Sequence, residues 1–549
     1  MSFGFSHRFT VDAFGRRIQT SSANTMAAAA RAYHARDYAE AERCCLTLIE
    51  QDPRHFDALH LLGVVHLDRK RSADAVEYLT RAVRERPDDA QVHYHLGTAH
   101  LELKRYEQAA VALQRAVALR PRDPSALTNL GNALAGSGRH AEAIACYGQG
   151  LAADGSDAPA HFNLGRSLAA LDRLEEAVAS FRAALTHAPA DTDRDRLADV
   201  HANLGEVLVG LGRFDEAFAA CRAIADYQPR TAAWNESIVL LLLGRYAEGW
   251  QKYEDRWGVA DHDLPRADAR VPTLGEVPGK RVLLVQEQGH GDMIQFARYA
   301  PLLAAHGARV TVQTYIELKA LMRSLDGIEQ VIAMDEPEPA ADIVTPLLSL
   351  PLVFGTVLET IPAEVPYLQA PPERLEVWRE RLGPRTCPRV GLCWWGSQHI
   401  LKRSLPIEML LPVLSHPRIE VHALQKEIPP AQRDWLGTHR LLVEHSADLS
   451  DFADTAALIS QLDLVVTIDT SVAHLTGALG VPVWIMLQHS ADWRWLLYRT
   501  DSPWYPTARL FRQQRPGDWE GVVRDVARAL DDELGPNVME IASSLRSSQ

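Results

Sequence analysis

A 34-residue period runs through the first half of this 549-residue chain. Two residue types keep the interval, glycine at Gly63, Gly97, Gly131 and Gly165, and alanine at Ala41, Ala75, Ala109, Ala143 and Ala177. A fixed period of this length is typical of stacked repeats, because one unit cannot bury its apolar face alone. The period therefore predicts an array of helical hairpins.

Proline marks the end of each unit, since it cannot continue a helix, and Pro53, Pro87 and Pro121 keep the same interval. The pattern of helix, turn, helix and stop resembles the tetratricopeptide repeat. We expect about seven such hairpins over residues 22–257, after a leader at 1–21. Extra aromatic residues in 241–257 predict that the last helix packs against a different kind of domain.

Asparagine occupies one position of the first helix in three successive repeats, at Asn129, Asn163 and Asn203. In this repeat family the position faces the concave groove, and an asparagine amide can pair with the backbone of any peptide. The arrangement resembles the asparagine ladder of eukaryotic protein O-GlcNAc transferase, which implies a groove for a protein or peptide. The alternative is a hydrated polar inner face.

After a linker at residues 258–279, short apolar strands alternate with helical stretches, which is the signature of parallel sheets. The predicted strands are KRVLLVQ, ARVTVQT and EQVIAM in a first series and RVGLCWW, IEVHALQ, LDLVVTI and VPVWIML in a second. We expect two facing lobes at 280–372 and 385–535, followed by a tail at 536–549. Ligands of such sheets gather beyond the carboxyl ends of the strands.

One of these strand ends carries Asp469, Thr470 and Ser471 at the start of a predicted helix, with His474 one turn further on. The unpaired amides of a helix start suit a diphosphate, although an ordinary capped helix with a packed histidine is the alternative. The run DTSVAHLTGALGVPVW resembles the nucleotide-binding motif of the ADP-heptose:lipopolysaccharide heptosyltransferase family. That resemblance implies a glycosyltransferase of the GT-B type, with two Rossmann-like lobes.

In the first lobe, Gly289, Gly291 and Asp292 lie between a strand and a helix, where the same family places a Gly-Asp pair beside the acceptor. The resemblance implies that Asp292 is the catalytic base and that His474 belongs to the catalytic centre. A carboxylate at a helix start also caps that helix without any catalytic duty, so both roles stay open.

Further loop residues resemble positions near the donor in this family. They are Trp395 and Gly396 after one strand, Lys402 and Arg403 downstream, and Gln425 after the next strand. A basic pair at this place could neutralise a diphosphate leaving group, with Arg403 preferred for its bidentate fork. The alternative is that Lys402 and Arg403 are solvated surface residues without a role in binding. The aromatic residues around Trp493, Arg494 and Trp495 fit packing in the core better than stacking on a nucleotide base.

Composition excludes other classes of function. The net charge of −14 repels nucleic acid, and no apolar run approaches the roughly 20 residues of a membrane span. The six cysteines show no zinc spacing, and the N-terminus lacks a secretory signal, so we expect a cytoplasmic protein without metal or cofactor.

We therefore expect a tetratricopeptide-repeat superhelix followed by a GT-B type α/β domain that transfers a sugar from a nucleotide-sugar, with inversion and without a metal, to a protein or peptide. No Asp-x-Asp motif is suited to hold a metal against a sugar diphosphate. Two alternatives remain, a non-catalytic scaffold with a degenerate sugar-nucleotide domain and a transferase that acts on a glycan or lipid. Heptosyltransferases carry no helical repeats, so the resemblance does not imply that this chain uses heptose as its sugar or lipopolysaccharide as its acceptor.

Overall fold

The computed structural model describes residues 10–11, 17–18, 22–259, 268–396 and 403–533. The chain divides into two compact units, Met1–Leu211 and Gly212–Gln549. The predicted tail at 536–549 and most of the predicted leader lie outside the described residues, as does part of the linker.

The first unit is a helical solenoid. Two short antiparallel strands, β1 (Thr10–Val11) and β2 (Arg17–Ile18), come before the helices. The helices are α1 (Ser22–His34), α2 (Tyr38–Gln51), α3 (Phe56–Asp68), α4 (Ser72–Glu85), α5 (Ala90–Glu102), α6 (Tyr106–Leu119), α7 (Pro124–Gly136), α8 (His140–Ala153), α9 (Ala158–Ala170), α10 (Leu174–His187) and α11 (Arg194–Gly210).

Local sequence explains where these helices begin. Asp123 caps α7 by accepting a hydrogen bond from the Ala126 amide at 3.2 Å, and Asp157 caps α9 in the same way. In several hairpins the second helix instead begins after an arginine that pairs with an acid three residues on, as Arg139 does with Glu142 and Arg173 with Glu176. Acidic residues in the first turn complement the helix dipole.

The glycine and alanine ladders occupy the contacts between paired helices. A β-carbon built on Gly131 would lie 2.5 Å from the ring of Tyr147 on the following helix, which no real structure tolerates. All five ladder alanines are fully buried. The small residues are therefore required because the two helices of each hairpin approach closely, as the period predicts.

The second unit begins with three further helices, α12 (Phe214–Arg222), α13 (Pro229–Leu242) and α14 (Tyr246–Tyr253). It continues with two parallel sheets. The first has the order β5-β4-β3-β6. Its elements are β3 (Arg281–Val285), α15 (His290–Phe296), α16 (Tyr299–Ala305), β4 (Arg309–Thr314), α17 (Ile316–Met322), β5 (Ile328–Ala333), β6 (Ile343–Pro346) and α18 (Leu350–Val353).

The second sheet has the order β11-β10-β9-β7-β8 and is also parallel throughout. Its elements are α19 (Pro372–Leu382), β7 (Arg389–Cys393), α20 (Leu411–Leu414), β8 (Glu420–Ala423), α21 (Pro430–His439), α22 (Phe452–Ile459), β9 (Leu464–Ile468), α23 (Ser471–Ala478), β10 (Val483–Leu487), β11 (Ala508–Arg512) and α24 (Trp519–Glu533). The seven predicted strands all coincide with strands, and the predicted parallel α/β architecture is confirmed. Two strands, β6 and β11, were not predicted.

We expect that Gly131→Ala lowers the free energy of unfolding by about 1–3 kcal/mol, because the added methyl group forces α7 away from Tyr147. The matched control is Gly148→Ala on the exposed face of α8, where a β-carbon meets no atom within 4 Å. There alanine should raise stability by about 0.5–1 kcal/mol. Urea denaturation followed by far-ultraviolet circular dichroism measures both, and equal effects would contradict the close-approach explanation.

Candidate functional site

The order of the second sheet reverses between β7 and β9, because the chain leaves β7 toward β8 on one side and reaches β9 on the other. Such a reversal opens a crevice at the carboxyl ends of the strands, where ligands of open α/β sheets bind. The loops after β7 and β9 carry Trp395, Gly396, Asp469, Thr470 and Ser471, and a β-carbon on Gly396 would lie 3.7 Å from Thr470 Cγ2. The structure therefore brings these predicted site residues together.

The helix α23 begins at this crevice without a side-chain cap from the described residues. The hydroxyl of Thr470, at the N-cap position, lies 3.3 Å from the Thr467 hydroxyl and 3.4 Å from the Ile468 carbonyl oxygen, so it turns back toward β9. The Ala473 amide donates to the Thr470 carbonyl oxygen at 3.0 Å, while no described side chain caps the amides before it, at the positive end of the helix dipole. This start of a helix suits an anion.

Arg403 lies beside the same loop. Its Nη1 is 3.3 Å from Asp469 Oδ2 and donates to the Asp469 carbonyl oxygen at 3.4 Å. Its Nε is buried and has no hydrogen-bond partner in the part of the chain that the structure describes. Burial raises the pKa of Asp469, and the charge of Arg403 opposes that rise. The Arg403 side chain keeps 26% of its surface exposed beside this loop, so its guanidinium is accessible to a ligand. The neighbouring Lys402 lies outside the described residues.

Gln425, the predicted donor contact after β8, is instead bonded to the loop after β7. Its Oε1 accepts from the amides of Trp395 at 3.0 Å and Trp394 at 3.3 Å, and its Nε2 donates to the Trp395 carbonyl oxygen at 2.9 Å. The two-way pairing fixes the backbone of that loop. Gln425 shapes the crevice through this contact.

In the first sheet the order reverses between β3 and β6, and the loop after β3 leads through Gly289 and Gly291 into α15. Asp292 Oδ2 accepts a hydrogen bond from the Gly289 amide at 2.9 Å, so the capping contact is present. Asp292 Oδ1 accepts from Arg494 Nη2, which belongs to the segment after β10. The role of Asp292 as a base stays a prediction.

The starts of α15 and α23 adjoin at Gly291. A β-carbon on Gly291 would lie 2.9 Å from His474 Cδ2 and 3.6 Å from Ser471 Cα, so only glycine fits. The loop that the sequence assigns to the acceptor and the loop that it assigns to the donor are therefore direct neighbours.

His474 is a buried, neutral group in this centre. Its Nδ1 lies 3.0 Å from the Tyr505 hydroxyl and its ring stacks on Trp495 at 5.3 Å between centroids. Burial, with the positive charge of Arg494 as the next cause, lowers its pKa to about 3. A neutral imidazole with one nitrogen already bonded holds its neighbours in place, and a catalytic duty for His474 stays a prediction.

Sequence reasoning treated Arg494 as part of a packing cluster and missed its polar role. Its Nη1 donates to Asp492 at 2.8 Å, its Nε donates to Gln295 Oε1 at 2.9 Å and its Nη2 donates to Asp292. The two carboxylates raise the pKa of Arg494 against the effect of burial, which keeps the guanidinium charged. A signal existed in the sequence, since Asp292 and Asp492 at strand ends both require a counter-charge.

The asparagines of the first unit form a hydrogen-bonded ladder between successive helices. Asn129 Nδ2 donates to Thr98 Oγ1 at 3.2 Å, and Asn163 Nδ2 donates to Asn132 Oδ1 at 3.0 Å. Asn203 instead donates to the carbonyl oxygen of Asp199 at 2.8 Å, within its own helix. The first two amides link neighbouring repeats through their Nδ2 donors, whereas Asn203 follows a different pattern.

Two further findings concern metals and membranes. Among the described residues, no three histidine, cysteine, aspartate or glutamate side chains are grouped so as to hold a metal ion. Within the same part of the chain, no helix combines the length and the apolar character needed to cross a bilayer.

Family comparisons identify the helical hairpins. Models of the tetratricopeptide repeat match residues 26–90, 70–126 and 128–192, and another repeat model matches 198–223. These hairpins are tetratricopeptide repeats. Stacked repeats of this kind build extended concave binding surfaces, so the tetratricopeptide array is a protein-interaction scaffold.

Similar proteins include Protein FlbA of Caulobacter vibrioides, which is 30% identical over 337 residues, covering 54% of this chain and 54% of the relative. The chain thus spans about half the length of that curated relative. A crystal structure of MamA is 26% identical with a TM-score of 0.29, covering 30% of this chain and 91% of MamA. YrrB, described as a TPR protein with an unusual peptide-binding site, is 18% identical with a TM-score of 0.30, covering 34% and 95%.

The buried histidine predicts a pH effect on stability. In the unfolded chain His474 has its ordinary pKa of 6.5, whereas in the folded protein its pKa is about 3. Between these two pH values the unfolded state is protonated at His474 and the folded state is not. Stability conferred by the neutral ring therefore falls as the pH is lowered. Relative to His474→Gln, the wild-type free energy of unfolding should drop by about 1.4 kcal/mol per pH unit below 6.5. Urea denaturation from pH 7 to about 4.5 tests this, and parallel profiles would refute it.

Proposed function

We propose that the α/β half is a glycosyltransferase of the GT-B type that takes its donor from a nucleotide-sugar. The observation that carries the proposal is the start of α23, which has no side-chain cap from the described residues, with the partly exposed guanidinium of Arg403 beside it at the crevice of the second sheet. A diphosphate group carries the negative charge and the acceptor oxygens that such a place binds. Gly289, Gly291 and Asp292 adjoin it from the first sheet.

The proposed reaction assigns one step to each of these groups. Asp292 accepts the proton of an acceptor hydroxyl, and the oxygen attacks the anomeric carbon from the face opposite the nucleotide. The bond between that carbon and the diphosphate oxygen breaks, so the configuration inverts and a nucleoside diphosphate leaves. The first-turn amides of α23 and the guanidinium of Arg403 stabilise the charge that develops on the leaving group, without a metal.

The repeats supply the acceptor in this proposal. The interaction scaffold lies on the same chain as the transferase, and the Asn129 and Asn163 amides offer acceptors for the backbone N–H groups of an extended protein or peptide segment. Backbone recognition tolerates many side chains, which suits a scaffold that presents more than one sequence. A glycan or lipid acceptor would leave these amides with only their contacts between repeats.

A specific contact favours a second candidate function. Both carboxylate oxygens of Asp292 are engaged, one by the Gly289 amide and one by Arg494. If this state persists with donor bound, the α/β half is a sugar-nucleotide-binding module attached to a scaffold and turns nothing over. Donor binding without release of nucleoside diphosphate would establish that candidate.

The donor site predicts a thermal shift. Among UDP-, GDP-, ADP-, dTDP- and CMP-sugars, the matched donor at 100 times its dissociation constant should stabilise the protein by about 2.7 kcal/mol. Arg403→Met should weaken binding by about 1.5–3 kcal/mol, because a charged hydrogen bond to the diphosphate is lost. The matched control is Arg524→Met, an exposed arginine on α24. No shift with any of these donors, or an equal loss in both variants, would overturn the assignment.

The groove predicts a second binding effect. A peptide selected on the wild-type protein should bind the double variant Asn129→Ala, Asn163→Ala more weakly by about 0.5–1.5 kcal/mol per lost hydrogen bond. Gln149→Ala, an exposed amide on α8, controls for loss of amide side chains in general. Fluorescence anisotropy measures the dissociation constants. Unchanged affinity in a folded double variant would point to a glycan or lipid acceptor.

A further inference from the structure

The turn that follows the last helical hairpin buries an arginine completely. Arg256 ends the 3-10 turn Glu254–Arg256 after α14, and its side chain has no exposed surface. All five of its N–H donors are used. Nε and Nη2 bind the two carboxylate oxygens of Glu287 at 2.8 and 2.9 Å, Nη2 also binds Ser349 Oγ at 2.9 Å, and Nη1 binds Glu254 Oε1 at 2.9 Å and the Tyr253 carbonyl oxygen at 3.0 Å.

Two of these partners, Glu287 and Ser349, come from loops of the first sheet. Glu287 follows β3, whereas Ser349 follows β6, and β3 and β6 are the neighbouring strands between which the sheet order reverses. Glu287 Oε1 also accepts from the Leu348 amide at 3.0 Å, which ties the two loops to each other. Arg256 therefore joins both sides of the crevice that an open sheet of this kind normally offers to a ligand.

The hairpin also holds the next residue of the loop. Gln288 Nε2 donates to the Tyr253 hydroxyl at 3.0 Å, and Gln288 has the left-handed backbone conformation, with φ of 59°, that side chains other than glycine rarely adopt. Tyr315 donates to the Gln288 carbonyl oxygen from the opposite side. The strained residue directly before Gly289 is thus fixed by contacts on both sides.

We propose that Arg256 is a positioning residue that fixes the loop at residues 286–291, and with it Asp292, from the last helical hairpin. The proposal rests on the proposed function only for its effect on turnover. Arg256 occupies the crevice of the first sheet, where a nucleotide would otherwise bind. The nucleotide-sugar donor therefore binds at the second sheet alone. A segment with the signature of the repeats thereby sets the geometry of the acceptor side.

Three substitutions separate this role from general packing. Arg256→Lys keeps the charge but loses the fork that binds both oxygens of Glu287. Arg245→Lys, on the exposed pair with Glu248 at the start of α14, is the matched control on the same hairpin. Ser349→Ala removes one hydrogen bond of the network and serves if Arg256→Lys does not fold.

The experiment is hydrogen exchange on the full-length chain, followed by peptide mass spectrometry. We expect exchange in residues 286–294 to be at least about tenfold faster in Arg256→Lys, with exchange in α23 unchanged, because only the first-sheet loop loses its anchor. Ser349→Ala should change the same peptide in the same direction. Wild-type exchange at 286–294 in either folded variant would overturn the proposal.

Kinetics give the second readout, which a role in packing alone would not produce. With the matched donor, the kcat of Arg256→Lys should fall by about 100-fold, because a displacement of about 1 Å at Asp292 misaligns the base, while the donor dissociation constant is unchanged. A parallel loss of donor affinity would contradict the proposal. If the wild-type protein binds no nucleotide-sugar, the proposed function fails, yet hydrogen exchange still decides the role of Arg256.

Discussion

A buried guanidinium needs carboxylates around it, and Arg494 finds them on two sides. Asp492 lies in its own segment, whereas Asp292 and Gln295 lie on the first helix after β3. Because an unpaired charge is far more costly when buried than when exposed, these contacts hold the carboxyl ends of the two sheets together. The close approach of Gly291 to His474 lies at the same boundary, so the acceptor-side and donor-side loops of the candidate site meet beside that connection.

The last helical hairpin belongs to the second unit through its aromatic side chains. Trp250 packs edge-on against Trp493 with 5.4 Å between centroids, and the Trp504 indole donates to the Tyr246 hydroxyl at 3.2 Å. The repeat period places this hairpin in the predicted array at 22–257. The first compact unit ends at Leu211, however, so the hairpin lies in the second unit. The expected packing of the last helix against a different kind of domain is present. A segment can therefore have the sequence signature of a repeat although its aromatic side chains are buried against the α/β part of the second unit.

Local patterns predicted much of this molecule. The ladders predicted the hairpins because close helix contact needs glycine and alanine, and fully buried parallel strands read as apolar runs. The strand β6 was missed since it has only four residues and ends in Pro346, and β11 was missed because Arg509 and Arg512 interrupt its apolar run. The turn chemistry around Asp469 and Gly291 is local as well, so the loops of the candidate site were predictable.

Contacts between distant residues were not predictable from one sequence. Arg494 and Asp292 are 202 positions apart, and Arg256 lies 93 positions from Ser349. No period or motif encodes such pairs, because they arise only when the sheets and the hairpin pack. The contact of the Gln425 amide with the neighbouring loop was unpredictable for the same reason, and a contact of Gln425 with the donor stays a prediction.

The most direct test is release of nucleoside diphosphate from the matched donor, with acceptor present, by wild-type protein and by Asp292→Asn. The asparagine keeps one oxygen for Arg494, but it removes the proton acceptor together with the charge that pairs with Arg494 and the oxygen that accepts from the Gly289 amide. Asp326→Asn, an exposed carboxylate of the same lobe, is the control. The account predicts a loss of about 10²–10⁴-fold in kcat for Asp292→Asn alone. Full turnover by Asp292→Asn would contradict the assignment of the base, and no turnover by the wild-type protein with bound donor would identify a binding module instead of a transferase.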